Sequence, residues 1–227
     1  MRNFPLIIGH RGCAGEEPEN TLRSFRKAIE VGVDGVECDV HLSRDGYPLV
    51  IHDPTLERTT NGKGKVADHT LEELRKLDAG KGEKIPLLDE VLDIVKGKAF
   101  LVIEVKDAKA TEKVIQKVKE KNMDEEVFIA SFHIQVVKLS PFKKIFLSAQ
   151  DPEYSLNIAE ELKADFLGLH YSLINLSVVK KAHGKGIKIL AWTVNEEEDI
   201  LNMLKIETDA IATDYPARVL TFLKHQI

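Results

Sequence analysis

The sequence predicts an α/β protein built as a closed (β/α)8 barrel of the TIM type. Short apolar runs rich in Ile, Val, Leu and Phe alternate with longer stretches of helical spacing, the pattern of a parallel sheet with crossover helices. Eight such units can be counted. The one run that breaks the alternation follows its predecessor too closely for a parallel crossover. With 227 residues the chain falls in the size range of a one-domain barrel, and 1–227 is read as a single domain with an insertion at about 43–85.

Strands are expected near 6–9, 35–40, 100–105, 127–131, 145–148, 166–169, 187–192 and 210–213, each a run of β-branched and other apolar residues. Helices are expected near 19–31, 87–95, 111–121, 134–139, 152–162, 177–183, 196–204 and 216–225. The additional run at 48–52 is preceded by Ser43-Arg-Asp-Gly46, a good short turn. It is therefore read as an antiparallel excursion from the second strand. The insertion carries Thr59-Thr-Asn-Gly-Lys-Gly64, Gly80-Lys-Gly82 and a short helical piece at 71–77.

Composition excludes several classes. A net charge of −5 and a pI near 5.9 argue against nucleic-acid binding. No apolar run approaches the ~20 residues of a membrane span, so no stable membrane insertion is expected. Two cysteines, Cys13 and Cys38, are too few for a disulfide framework and are read as thiols in a reducing compartment. With no signal-peptide pattern at the start of the chain, a cytoplasmic location is expected. No protein partner is indicated.

Barrel active sites lie at the C-terminal ends of the strands, and the unusual residues fall there. Glu37 and Asp39 sit one apart in an apolar strand and share a face by the two-residue period; Glu104 interrupts another strand. Carboxylates so placed repel unless a cation, a proton or basic groups neutralise them. Three oxygen donors without a cysteine cluster suit one hard divalent cation, Mg²⁺ or Ca²⁺, better than zinc. Arg11 and Lys106 add positive charge, the combination expected around a phosphate ester. His10 and His52 titrate near neutrality and suit general acid and base roles. Each has an ordinary structural alternative: an ion pair for Glu104 with Lys106, a core side chain for Trp192, a helix cap for Asp214. Clustering at one end of the barrel favours the chemical reading, without choosing a substrate.

Several motifs resemble those of the glycerophosphodiester phosphodiesterase family. They include His10-Arg-Gly12, Pro18-Glu-Asn-Thr21, Val36-Glu-Cys-Asp-Val40, Val50-Ile-His-Asp53 and Leu56-Glu-Arg-Thr-Thr-Asn-Gly62. Thr70-Leu-Glu-Glu-Leu74, Leu77-Asp-Ala-Gly80, Glu104-Val-Lys106, Trp192-Thr-Val-Asn195 and Thr213-Asp-Tyr-Pro216 extend the likeness over nearly the whole chain. The resemblance implies a small-molecule glycerophosphodiester substrate, cleaved to glycerol 3-phosphate and an alcohol. It implies metal ligands at Glu37, Asp39 and Glu104, an acid and base pair at His10 and His52, and phosphate contacts at Arg11 and Lys106. Trp192 lies where the family has an aromatic wall of the substrate pocket.

By analogy with related phospholipases, the glycerol 2-hydroxyl attacks phosphorus and a cyclic phosphate forms. Direct attack by water is the alternative, and the division of labour between the histidines is left open. The chain departs from the family where only Lys81-Gly-Glu-Lys-Ile85 precedes Pro86; many members have a longer segment there. An open site with broad headgroup tolerance is expected. Competing readings are a related barrel phospholipase acting on lysolipid, a catalytically silent phosphodiester-binding barrel, and a hydrolase of another phosphodiester such as a cyclic nucleotide.

Overall fold

The computed structural model describes residues 4–224. Its strands are β1 (Leu6–Gly9), β2 (Gly35–Leu42), β3 (Pro48–Val50), β4 (Phe100–Val105), β5 (Val127–Ser131), β6 (Lys143–Ser148), β7 (Phe166–His170), β8 (Lys188–Trp192) and β9 (Ala210–Thr213). Eight of them form a parallel ring in the order β1-β9-β8-β7-β6-β5-β4-β2, closed by the pairing of β1 with β2. β3 is bonded antiparallel to the end of β2, with Val40 opposite Val50 and Leu42 opposite Pro48. The turn between them is the expected one: Gly46 N–H donates to Ser43 O at 3.0 Å, and Gly46 adopts φ 83°.

The helices are α1 (Leu22–Val31), α2 (Leu71–Leu74), α3 (Leu88–Val95), α4 (Thr111–Glu120), α5 (Ile134–Leu139), α6 (Pro152–Glu161), α7 (Leu176–Gly184), α8 (Glu197–Lys205) and α9 (Pro216–Lys224). The first begins three residues later than its spacing suggests. Asn20 takes a left-handed φ of 57°, and Thr21, extended, caps the helix by accepting from Ser24 N. The helical piece in the insertion stops at Leu74, set up by a capping box between Thr70 and Glu73. The last predicted helical residue, His225, lies outside the described residues.

Strand alternation divides the core. Val36, Cys38 and Val40 of β2, with Leu101, Ile103 and Val105 of β4, face outward and pack with Phe25, Leu88 and Val91 of the surrounding helices. Burial of each large aliphatic side chain there is worth about 1.5–3 kcal/mol. A second outer cluster continues round the ring, with Leu167, Ile189 and Ile211 under Leu156, Val179, Ile200 and Val219. The barrel interior is filled by Ile8, Val102, Ala130, Ile145, Leu147, Phe166, Leu190, Ala210 and Ala212. Because β2 pairs with β4 so that Asp39 stands opposite Glu104 and Glu37 opposite Val102, the three carboxylates fall on the interior face, near its C-terminal rim. The insertion has its own small core of Leu49, Ile51, Leu56, Val66, Leu74, Ala79 and Ile85.

Candidate active site

Glu37, Asp39 and Glu104 each bring one carboxylate oxygen within 4.8 Å of the others. Asp39 is 1% exposed and Glu37 7%. Arg11 N–H donates to Glu37 Oε2 at 2.9 Å, whereas Glu37 Oε1 is buried without a hydrogen-bond partner. Asp39 Oδ2 accepts from Asn20 Nδ2 at 2.8 Å and lies 3.2 Å from Arg11 Nε. Lys106 Nζ lies 3.0 Å from Asp39 Oδ1 and donates to Glu104 Oε1 at 2.6 Å.

Burial, then the neighbouring Asp39 carboxylate, pushes Glu37 up to about 8. Burial works on Asp39 too, but Lys106 and Arg11 outweigh it and hold Asp39 below the usual carboxylate range. Glu104 is raised by burial and by Asp39. A buried, partnerless carboxylate oxygen beside two further carboxylates is a donor set that fits a hard cation.

Each histidine is held from behind by a carboxylate. His10 Nδ1 lies 2.7 Å from Asp214 Oδ1, and Asp214 Oδ2 in turn accepts from Asn195 Nδ2 at 2.7 Å. His52 Nδ1 lies 2.6 Å from Asp53 Oδ1. Since a carboxylate only accepts, Nδ1 carries the proton in both rings, which leaves Nε2 free of that contact. His10 Nε2 is 4.0 Å from Glu37 Oε2. Burial would lower His10, but the Asp214 hydrogen bond and Glu37 carry it upward. His52 is lowered, chiefly by burial, against the pull of Asp39 and Asp53. The ring of His41 meets the backbone of His52, with Nε2 2.9 Å from the His52 carbonyl oxygen.

Gly12 turns the chain just after Arg11. Its φ is 85°, and a Cβ there would stand 2.4 Å from Ser24 Oγ and 2.6 Å from the Ser24 carbonyl carbon. Arg11 itself is left-handed at φ 50°. The tight turn brings Arg11 N–H onto Glu37 and its side chain beside Asp39.

These groups open into a cavity of about 200 Å³. One side is charged, with His10, Arg11, Glu37, His52, Glu104 and Lys106. The other is apolar, with Ala130 and Phe132 from the end of β5, Leu147 of β6, and Leu190 and Trp192 of β8. Phe132 stands edge-to-face on Trp192, ring centroids 5.7 Å apart, and His170 meets Trp192 similarly at 5.5 Å.

All eight residues singled out from the sequence are thus brought to one end of the barrel, seven of them around the cavity and Asp39 buried beneath it among Arg11, Lys106 and Asn20. Asp214, for which helix capping was the ordinary alternative, engages His10 and Asn195. Sequence reasoning gave no role to Asn20, Asp53, Asn195, Glu19, Arg58 or Phe132. All but Phe132 lie inside the motif stretches quoted above, so position in those motifs was the available signal.

A family model described as the glycerophosphoryl diester phosphodiesterase family matches residues 10–218. A glycerophosphodiester phosphodiesterase of Caldanaerobacter subterraneus subsp. tengcongensis is 39% identical, the match covering 96% of this chain and 98% of that protein. Among solved structures, an Oleispira antarctica phosphodiesterase in complex with the product sn-glycerol-3-phosphate superposes with a TM-score of 0.92 at 30% identity, covering 97% of each chain. A glycerophosphodiester phosphodiesterase from Thermotoga maritima gives 0.87 at 29% identity, covering 98% of this chain and 100% of the other. With motifs, barrel, site and relatives in agreement, this chain belongs to the glycerophosphoryl diester phosphodiesterase family of enzymes.

Proposed function

We propose that this enzyme, acting as one barrel domain with residues 43–85 as its insertion, hydrolyses small glycerophosphodiesters to glycerol 3-phosphate and an alcohol. The observation that carries the reading is a single cavity lined by two cationic side chains, two carboxylate-backed histidines and two members of a carboxylate trio whose third, Asp39, lies just beneath. The glycerol 3-phosphate named as product in the Oleispira complex supports the same substrate class.

Glu37, Asp39 and Glu104 would hold one divalent cation, Mg²⁺ or Ca²⁺, which when bound supplies Lewis-acid stabilisation of charge on the nonbridging phosphoryl oxygens. Arg11 and Lys106 add fixed positive charge beside the phosphate. His10 and His52 exchange protons at Nε2, each role worth about 10²- to 10⁴-fold in rate. One takes the proton of the glycerol 2-hydroxyl as that oxygen attacks phosphorus; the other protonates the leaving alcohol. Water then opens the cyclic phosphate with the roles reversed. Trp192 and Phe132 form an apolar wall on the far side of the cavity.

Among the described residues no helix is long and apolar enough to cross a membrane, and a water-soluble substrate pool is proposed. Cys13 and Cys38 are free and buried, which fits a reducing, cytoplasmic setting. The test is glycerol 3-phosphate release from glycerophosphocholine by metal-stripped protein, with Mg²⁺, Ca²⁺, Mn²⁺ or Zn²⁺ restored singly. Restored activity that E37Q and H52A both lose supports the reading. Greater activity on lysolipid vesicles overturns the substrate class, as does folded protein that releases no glycerol 3-phosphate with any metal.

A further inference from the structure

Outside the cavity, one side chain touches both of its catalytic halves at second hand. Arg58 lies in the insertion between β3 and α2 and hydrogen-bonds all four oxygens of two carboxylates. Nη1 donates to Glu19 Oε2 and Nη2 to Glu19 Oε1, both at 2.8 Å; Nε donates to Asp53 Oδ2 at 2.7 Å and Nη2 to Asp53 Oδ1 at 2.9 Å. Glu19 Oε1 also accepts from Arg11 Nη1 at 2.8 Å, and Asp53 Oδ1 lies 2.6 Å from His52 Nδ1. An unbroken chain therefore runs Arg11, Glu19, Arg58, Asp53, His52.

We propose that Arg58 is a positioning residue for the phosphodiesterase reaction, fixing the acid and base histidine His52 through Asp53 and the phosphate-contacting Arg11 through Glu19. The inference rests on the activity proposed above. Only a guanidinium has the planar fork to serve two carboxylates at once; a lysine ammonium is a point donor. The backbone supporting Arg58 is fixed as well. Leu56, two residues before it, is 1% exposed in the insertion core, and its carbonyl accepts from both the N–H and the hydroxyl of Thr60, at 3.1 and 2.7 Å.

Asp53 alone could rotate about its side-chain torsions and carry the imidazole with it. With Arg58 in place, both its oxygens are spoken for, and the plane of His52 follows. Likewise Glu19 is set against Arg58 before it orients Arg11. Arg58 thus acts on the chemistry through a hydrogen-bonded chain of fixed geometry without itself reaching the cavity. Arg58 is 46% exposed, so its ion pairs add little to global stability, and its loss can be read in rate without unfolding the protein.

The test is steady-state kinetics of metal-restored, full-length R58A, R58K, D53N and the R58A/D53N double variant, with thermal melting of each. Glycerophosphocholine and 2-hydroxypropyl p-nitrophenyl phosphate, a non-glycerol diester that keeps the attacking hydroxyl, are run in parallel. Expected for R58A is a fall in kcat of about 10²-fold with KM moved less than about threefold and little change in Tm. R58K should recover only a minor part. The double variant should be about as slow as the slower single variant, because both changes break one linkage. Millimolar guanidinium should partly restore R58A and leave H52A unchanged. Wild-type kcat within about threefold for R58A, full recovery in R58K, or additive losses in the double variant would each overturn the role. Failure of wild type to release glycerol 3-phosphate defeats the substrate reading alone, since the variant ratios remain readable on the second diester.

Discussion

His10 and Asp214 are 204 positions apart in sequence and 2.7 Å apart in space, Nδ1 to Oδ1. β1 and β9 are neighbours in the ring, with Gly9 beside Thr213, so each residue is the first after its strand. Closure of the barrel thereby fixes a tautomer. The D214N variant keeps the shape but offers an amide that can donate to His10 and meets the donating amide of Asn195. It should lose about 10²-fold in kcat while far-UV circular dichroism is unchanged. Activity within threefold of wild type would exclude this orienting role.

Glu37 gives a pH prediction for the metal-free protein. Its folded value is raised from 4.5 to about 8, by burial first and Asp39 second. Between those values the unfolded chain has released a proton that the folded chain retains, so this group's stabilisation, complete below 4.5, is lost as pH rises towards 8. Urea midpoints of chelator-treated wild type should therefore fall from pH 5 to pH 8 relative to E37Q, which cannot ionise there. Asp39, lowered, titrates below this window. Added Mg²⁺ or Ca²⁺ should restore the wild type at pH 8 and not the variant. Parallel midpoints in the two proteins would sink the account.

For the aromatic wall, the expectation concerns binding more than chemistry. W192A removes the ring that Phe132 and His170 both meet edge-on. KM for glycerophosphocholine should rise about tenfold with kcat changed less, and F132A should act in the same direction, since each edge-to-face pair that builds the wall is worth about 0.5–1.5 kcal/mol beyond its area. Competition between choline and ethanolamine diesters measures how far the wall discriminates.

At Gly12 the prediction is about folding. G12A would force a side chain into φ 85° and against the Ser24 carbonyl carbon at 2.6 Å. A cost of about 2–4 kcal/mol is expected, because strained φ and overpacking both apply. Urea denaturation reads it directly, and an unchanged midpoint would show that the turn has more room than its geometry suggests.

Much of this was legible in the sequence, for identifiable reasons. Alternation within β2 places Glu37 and Asp39 on one face, and hairpin spacing separates β3 from the ring. The pairing of Asp39 with Glu104 required knowing that β2 and β4 are neighbours once the excursion is set aside. Asp214 was less accessible, since an acid two residues before Pro216 is an ordinary cap and only ring closure brings it to His10. Arg58 was opaque for a related reason: its role depends on where the insertion folds back, which local spacing does not encode. The start of α1 was misplaced because a left-handed Asn20 overrides helical periodicity.

The cavity is two-sided. Its charged residues come from β1, β2 and β4 and the loops beside them, and its apolar wall from β5, β6 and β8. On the function proposed above, substrate choice and bond cleavage would fall largely on opposite arcs of the cavity. Randomising Phe132, Leu147 and Leu190 should yield catalysts with redirected headgroup preference that keep their turnover machinery whole, whereas an equal number of changes on the opposite arc should yield only inactive proteins. For an engineer, this barrel offers a reader that can be reprogrammed beside a blade best left alone.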